Sequence, residues 1–251
     1  MTEPLIKITG QISTNKERVT RSVYTGVCDG QAAIIKQFTH PWRGWLHWWQ
    51  CDFNARIARR RGIPAPAILY SGRFPRTGAW CIVYEYLPNA SEFRWLRETT
   101  DRDQFISGLK RLLGFFAMMH SRGIAQSDTT LGNFLETEGQ IHIIDEDRLY
   151  IRPWPLGPGA SLNNVASLLS QWRLNINHHE SRSLYEYYTQ QRGWQPTPAH
   201  FKTLTRARMR FDARRQDKYR YKKNRAIRVL GVTALVMVIT AIAGFYWLHT
   251  N

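Results

Sequence analysis

HSRGIAQSDTTLGNF, residues 120–134, and IHIIDEDR, residues 141–148, are the two stretches that decide how this chain is read. In the first, Asp128 and Asn133 stand at the D-x-x-x-x-N spacing, in which an aspartate takes the proton of an attacking hydroxyl and an asparagine ligates Mg²⁺. That spacing also recurs by chance, so its surroundings must give it weight. Asp128 is the only acid between Gln104 and Leu135. It follows a helix expected over Asp101–His120, with Phe105, Leu109, Leu112, Leu113, Phe116 and Met119 at helical spacing and Gly123 as its stop. It precedes a hairpin in which NFLET and IHIIDED flank Glu138-Gly139. In the second stretch an apolar strand delivers Asp145, and a carboxylate beside an amide oxygen is the hard-oxygen setting that Mg²⁺ prefers. Asp147 is a second metal contact or a cap.

Toward the N-terminus the chain reads as short strands. PLIKITG, VTRSVYTG and QAAIIKQF are β-rich, the last two joined at Cys28-Asp29-Gly30. AILYSG and WCIVYEYL form another hairpin across Pro75-Arg76-Thr77-Gly78. One helix lies between these pairs, expected from about Leu46 to Arg61 and ended by Gly62, Pro64 and Pro66. Lys36 sits among the apolar residues of AAIIKQF; if that strand lines a nucleotide cleft, its ammonium holds the α and β phosphates. A lysine in that role needs a carboxylate to orient it, and Asp52 is the only acid between Gly30 and Tyr84. Later helices are expected at about Leu162–Trp172, Ser181–Gln191 and from Pro198 onward. The fold class is therefore α+β: a β-rich lobe over 1–86, a helical lobe carrying the candidate catalytic and metal loops over 87–200, a basic helix over 201–228 and an apolar helix over 229–248.

The 251 residues include 43% hydrophobic positions and ten Trp, which excludes a disordered or fibrous chain. Three cysteines without a C-x-x-C exclude a disulfide scaffold or zinc knuckle. Net charge is +16, and the interval from Lys202 to Arg228 alone holds twelve Lys/Arg against two Asp. The next 20 residues, VLGVTALVMVITAIAGFYWL (229–248), carry no charge, which is the length of a transmembrane helix. A basic cluster immediately before a lone span predicts a single-pass membrane protein with its body in the cytoplasm, and the cluster itself faces an anionic membrane surface. Nucleic acid is the weaker reading of the same charge, because it would act on a membrane-tethered protein.

Taken in order, IIKQF, H-x-x-G, S-D-T-T-L-G-N and I-D-E-D-R resemble the Kdo and lipopolysaccharide core kinases of Gram-negative bacteria, a compact branch of the protein-kinase-like fold; the likeness runs over roughly residues 15–175. The resemblance implies ATP and Mg²⁺ as cofactors and a glycolipid acceptor, a Kdo or heptose hydroxyl of lipid A-core. It implies Lys36 on the phosphates with Asp52 as its partner, Asp128 as base, Asn133 and Asp145 on the metal, and the backbone around Glu85 as the adenine-contacting hinge. A pseudokinase scaffold and a protein Ser/Thr kinase are the other readings. The chain departs from the kinase pattern at four places. Gln126 replaces a histidine, Ser127 replaces an arginine, TGQISTNKER has a single glycine where a glycine-rich phosphate cover is usual, and Glu146 stands where an apolar residue packs. Finally, WRGWLHWWQ (42–50) places Trp45, Trp48 and Trp49 on one expected helix face, open to three readings: lobe packing, an interfacial patch or a sugar-stacking platform.

Overall fold

A computed structural model of the chain describes residues 4–14, 21–171, 174–217 and 220–221. The fold is α+β, with antiparallel sheets. Strands β1 (Ile6–Thr14), β2 (Ser22–Cys28), β3 (Gln31–Phe38), β4 (Ile68–Arg73) and β5 (Trp80–Glu85) form one sheet in the order β1-β2-β3-β5-β4. Asp29 and Gly30, both with positive φ, make the two-residue turn that brings Cys28 opposite Gln31; this backbone twist matches that of the paired strands. Helix α1 (Pro41–Arg60) covers one face of the sheet. It starts five residues earlier than expected, because the His40 side chain accepts from Arg43 N and Pro41 sits at the first turn, where its missing N–H costs nothing.

Strand alternation sorts β3. Ile35 points into a cluster with Ala33, Cys81 and Val83, while Phe38 points to the α1 side with Cys51, Ile82 and Tyr84. Lys36 shares the parity of Phe38 and is carried to that side, paired across the sheet with Val23 and Ile82. Trp48 is on the same side, stacked on Trp80 at 4.1 Å and donating to Ser71 Oγ at 3.0 Å, so it turns away from Trp45 and Trp49 rather than sharing a face with them.

The second half is built on α2 (Arg102–Ser121), whose N-cap Asp101 accepts from the N–H groups of Asp103 and Gln104. Ahead of it, β6 (Ser91–Glu92) leads into a short 3₁₀ turn. After it come β7 (Ile124–Gln126), β8 (Phe134–Thr137), β9 (Gln140–Ile143) and β10 (Leu149–Ile151). β7 pairs with β10, and β6-β8-β9 form a small sheet turned at Glu138-Gly139. Helices α3 (Pro158–Leu169) and α4 (His178–Gln191) pack on α2, and α4 begins with a reciprocal Asn177–Glu180 capping box. Residues 198–217 form a further helix, α5, which adds Phe201, Leu204 and Ala207 to the core around Leu109, Leu112, Phe116 and Leu168.

The basic stretch is partly used inside the fold. Arg215 on α5 donates to the carbonyls of Ser167 and Ser170 at the end of α3, and Arg208 donates to Ile176 O at 2.7 Å. Carbonyls at a helix C-terminus lack intrahelical partners and carry partial negative charge, so Arg215 caps α3, while Arg208 ties α5 to the segment ahead of α4. Among the described residues no helix is long and apolar enough to cross a membrane, and the expected span at 229–248 lies outside them, as do Lys218, Lys222, Lys223, Arg225 and Arg228. The three cysteines are buried and unpaired by disulfides.

Candidate functional site

Lys36 from β3 meets the loop that leaves β9. Its Nζ lies 3.3 Å from Glu146 Oε2 and 3.8 Å from Asp145 Oδ1. Burial disfavours an ammonium, but Glu146 and Asp145 outweigh it and raise the Lys36 pKa, so the side chain stays charged. Glu146 is almost completely buried and also accepts from Tyr84 Oη at 3.2 Å. Burial and that carboxylate push the Tyr84 phenol well above its ordinary range, keeping it a donor. Helix α1 holds the same loop by its backbone: Asn54 donates to Glu146 O at 2.8 Å and Gln50 to Asp147 O at 3.2 Å.

The lysine's closest carboxylate is therefore not on α1. Asp52 accepts from Arg56 at 2.7 Å, one helical turn along, and Lys36 is paired from the loop 110 residues away. The glutamate that breaks the apolar pattern at 146 is the one that holds Lys36.

Asp145 adopts a left-handed backbone, φ 71° and ψ 55°, a conformation that a non-glycine side chain sustains only where its surroundings fix it. Here three elements fix it. Gln126 Nε2 donates to Asp145 O at 3.4 Å, Arg21 donates to Asp145 Oδ1 at 2.8 Å, and Ile144 N donates to Asn133 O at 2.9 Å. The last bond places Asn133 beside Asp145. Gln126 thus contacts this loop from the position where the kinase pattern has histidine.

Arg21, immediately before β2, joins the cluster although nothing in its local sequence sets it apart. Its guanidinium also lies 3.4 Å from Asp147 Oδ1 as an ion pair, and that oxygen is buried without accepting a hydrogen bond. Burial pushes Asp145 up, but Lys36 and Arg21 more than cancel this and hold it below the usual carboxylate range. Asp147, buried next to the Asp145 charge, is pushed up to about 6. Three carboxylates, Asp145, Glu146 and Asp147, meet Lys36 and Arg21 here, with Arg148 Nε a third cation 3.9 Å from Asp147 Oδ2.

Asp128 occupies the turn after β7. Its Oδ1 accepts from Thr130 N at 3.2 Å and Thr130 Oγ1 at 2.6 Å, and Asn133 Nδ2 donates to Asp128 O at 3.0 Å. The turn is pinned from α3 and just beyond. Asn164 donates to Gln126 O at 2.7 Å, Ser167 bonds Thr129 Oγ1 at 2.9 Å, and Gln171 donates to Thr129 O at 3.0 Å. Asn164 is held in turn by His120 Nε2 at 2.9 Å, while His120 Nδ1 meets Tyr188 Oη at 2.7 Å. Burial lowers the His120 pKa to about 4, so this imidazole is a neutral bridge. Gly123 has φ +74°, with Arg152 O and Trp154 O only 2.4 and 2.5 Å from where a Cβ would stand. The H-x-x-G signature is therefore structural: it supports the loop without joining the chemistry.

The structure brings Lys36 and Asp145 together, sets Asn133 beside Asp145 and ties Asn133 to Asp128. It leaves Asp52 with Arg56 and puts Glu85 at the end of β5, where its carboxylate accepts from Ala67 N at 2.7 Å. An open hollow of about 670 Å³ lined by Lys110, Tyr187 and Trp194 among others shares none of these residues. Among the described residues no three His, Cys, Asp or Glu side chains form a metal cage, so a cation here would take its oxygens from a mixed set. The chain matches no family model and no curated protein.

Proposed function

We propose that the chain is a membrane-anchored, ATP-dependent phosphotransferase of the protein-kinase-like fold. Its acceptor is a sugar hydroxyl of a glycolipid, a Kdo or heptose of lipid A-core, at the cytoplasmic face of the inner membrane. One observation carries the reading: a buried lysine on the third strand of an antiparallel sheet, charged and paired with the acidic loop that follows the D-x-x-x-x-N turn. Cation, metal-side acid and candidate base thus occur in the order and neighbourhood that phosphoryl transfer requires.

The residues fit Mg-ATP. Asp147 keeps an oxygen without a hydrogen bond, and the available donors are hard oxygens. Asn133 and Asp145 would hold Mg²⁺, which supplies neutralisation of phosphate charge. Lys36 would hold the phosphates, and Arg21 would release Asp145 to do the same, standing in for the absent glycine-rich cover. The acceptor oxygen forms the new bond to the γ-phosphorus as the bond to the β-phosphate oxygen breaks, and its proton goes to Asp128. Both hydrogen bonds from Thr130 fall on Oδ1, which leaves Oδ2 to receive that proton. Positioning and charge neutralisation supply the rate, with no covalent enzyme intermediate. The acceptor class is supported by the basic run and the uncharged residues 229–248, which would keep the body at a lipid surface.

The test is transfer of label from γ-labelled ATP in membranes containing lipid A-core. Labelled core sugar with the wild type, and none with Asp128→Ala although that variant still binds Mg-ATP, is the expected result. Full transfer by Asp128→Ala, no transfer by either protein, or label in polypeptide alone would overturn it.

A further inference from the structure

Helix α1 is built the wrong way round for a helix that packs on a sheet. Apart from Trp48, which stacks on Trp80, its inward positions are small or polar, Gly44, Asn54, Ala55 and Ala58 among them, whereas Trp42, Trp45, Leu46, Trp49 and Phe53 face outward with 46–84% of each exposed. At 100° per residue these five positions fall in one stripe on the side opposite the sheet. Trp49 and Phe53 stack at 5.5 Å, making the stripe continuous. Arg43 flanks it, and Arg60 ends it. The one acid on the helix, Asp52, is bound to Arg56. A monomer gains nothing from exposing such a patch to water.

We infer that this stripe is a membrane-contact surface, seated in the interface of an anionic bilayer with the helix axis parallel to the membrane. Three observations select lipid as the occupant. Three of the five large residues are Trp, which prefers the headgroup boundary, where the ring is buried and the N–H is wet. The charges beside the stripe are the arginines Arg43 and Arg60, and the only acid on the helix is paired with Arg56, which suits anionic headgroups. The chain also carries the uncharged stretch 229–248, and the inference rests on reading that stretch as a membrane tether. With a tether holding the chain at the bilayer, the stripe needs only to orient the body. It lies on the helix that also holds the 145–147 loop through Asn54 and Gln50, so lipid contact would fix the direction in which the candidate site opens.

The experiment places a nitroxide at Leu46→Cys, or at Gln140→Cys as an aqueous control, in the full chain; Cys28, Cys51 and Cys81 are buried and do not compete for label. Each protein is reconstituted into vesicles of phosphatidylethanolamine with a minority of phosphatidylglycerol. Flotation reads the tether, and relaxation by oxygen against a water-soluble nickel chelate reads the depth of the label. The expected result is that both proteins float and that the oxygen-to-chelate ratio is several-fold higher at 46 than at 140. Equal ratios in floating protein would overturn the stripe and leave the tether standing; equal ratios in protein that stays in the aqueous layer would overturn both. Dipolar broadening between labels at 46 would show a second copy on the stripe and would overturn the lipid assignment.

Discussion

Replacing Glu146 by Gln tests the arrangement around Lys36, because the substitution keeps the shape and removes only the charge. At an effective dielectric of about 20, an ion pair at 3.3 Å carries about 5 kcal/mol of gross attraction and one at 3.8 Å about 4 kcal/mol. Glu146→Gln thus removes the larger of two attractions on a buried ammonium and leaves Asp145. Removing a partner from a buried pair costs about 3–5 kcal/mol when nothing else compensates. With Asp145 still in place, a loss of about 2–3 kcal/mol is expected, or roughly 5–10 °C in Tm for a domain of this size. Asp52→Asn breaks only an i,i+4 pair with a half-exposed arginine and should cost about 0.5 kcal/mol or less. Thermal unfolding of the full chain in detergent micelles, followed by circular dichroism, measures both. The double variant Lys36→Met, Glu146→Gln should recover part of the loss, since the stranded charge is gone. If Asp52→Asn proves as costly as Glu146→Gln, or if Glu146→Gln changes Tm by less than about 2 °C, the assignment of Glu146 as the lysine's partner is wrong. Mg-ATP gives a second readout: a ligand that binds only the folded state raises Tm, and Glu146→Gln should lose most of that rise, whereas Asp52→Asn should keep it.

Three further outcomes follow from the same geometry. His120 has a folded pKa of about 4 against about 6.5 unfolded, so below pH 6.5 the unfolded chain binds a proton that the native one does not. Stability should therefore fall by about 3 kcal/mol as pH drops from 6.5 to 4, and His120→Gln, though less stable at neutral pH, should lack this part of the acid dependence in urea titrations. Gly123→Ala must place a side chain at positive φ against two backbone carbonyls, and a loss of at least about 2 kcal/mol is expected in the same titration, with Gly139→Ala as a control that is strained but meets no atom. Asp128→Ala removes no core contact, so it should leave the unfolding midpoint within about 1 kcal/mol of wild type while lowering label transfer by a factor of about 10² or more.

Local chemistry made much of this fold legible. Asp29-Gly30 and Glu138-Gly139 each supply two adjacent positive-φ residues between alternating strands, and Asp101 announces the start of α2. What stayed hidden was non-local or short. β7 and β10 are three residues each and form only because the chain returns 23 positions later to pair Gln126 with Leu149, a contact that no window of sequence displays. Near Lys36 in the chain Asp52 is the only acid, whereas the pairing that forms spans 110 residues and leaves no periodic trace. A signal for it existed: Glu146 interrupts an apolar position, and a carboxylate where the core should be implies a buried cation to meet it. Arg21 carried no such signal, since an arginine next to a strand is usually solvated. In the Trp stretch the helical period places Trp45 and Trp49 together, and only Trp48 departs, because it has a stacking and hydrogen-bonding partner in Trp80 and Ser71 that its neighbours lack.

Moving the lysine's partner from helix to loop changes what the cleft is able to do. Where a helix supplies the carboxylate, rotating that helix separates the pair, and the fold has a switch. Here Lys36 and Arg21 bind Glu146 and Asp145 of one loop, and α1 binds the same loop at Glu146 O and Asp147 O. Displacing α1 would break backbone hydrogen bonds before it released the lysine. The segment after the loop is equally constrained: β10 begins at Leu149, four residues beyond Asp145, and pairs at once with β7. No length remains for a loop that phosphorylation could reorder, and Ser127, which donates to Arg148 O, stands where an arginine would read such a phosphate. A phosphotransferase with this site would be assembled as soon as it folded. Its control would come from access to the acceptor, and under the proposed lipid contact the outward Trp stripe of α1 would face the surface where that access is decided.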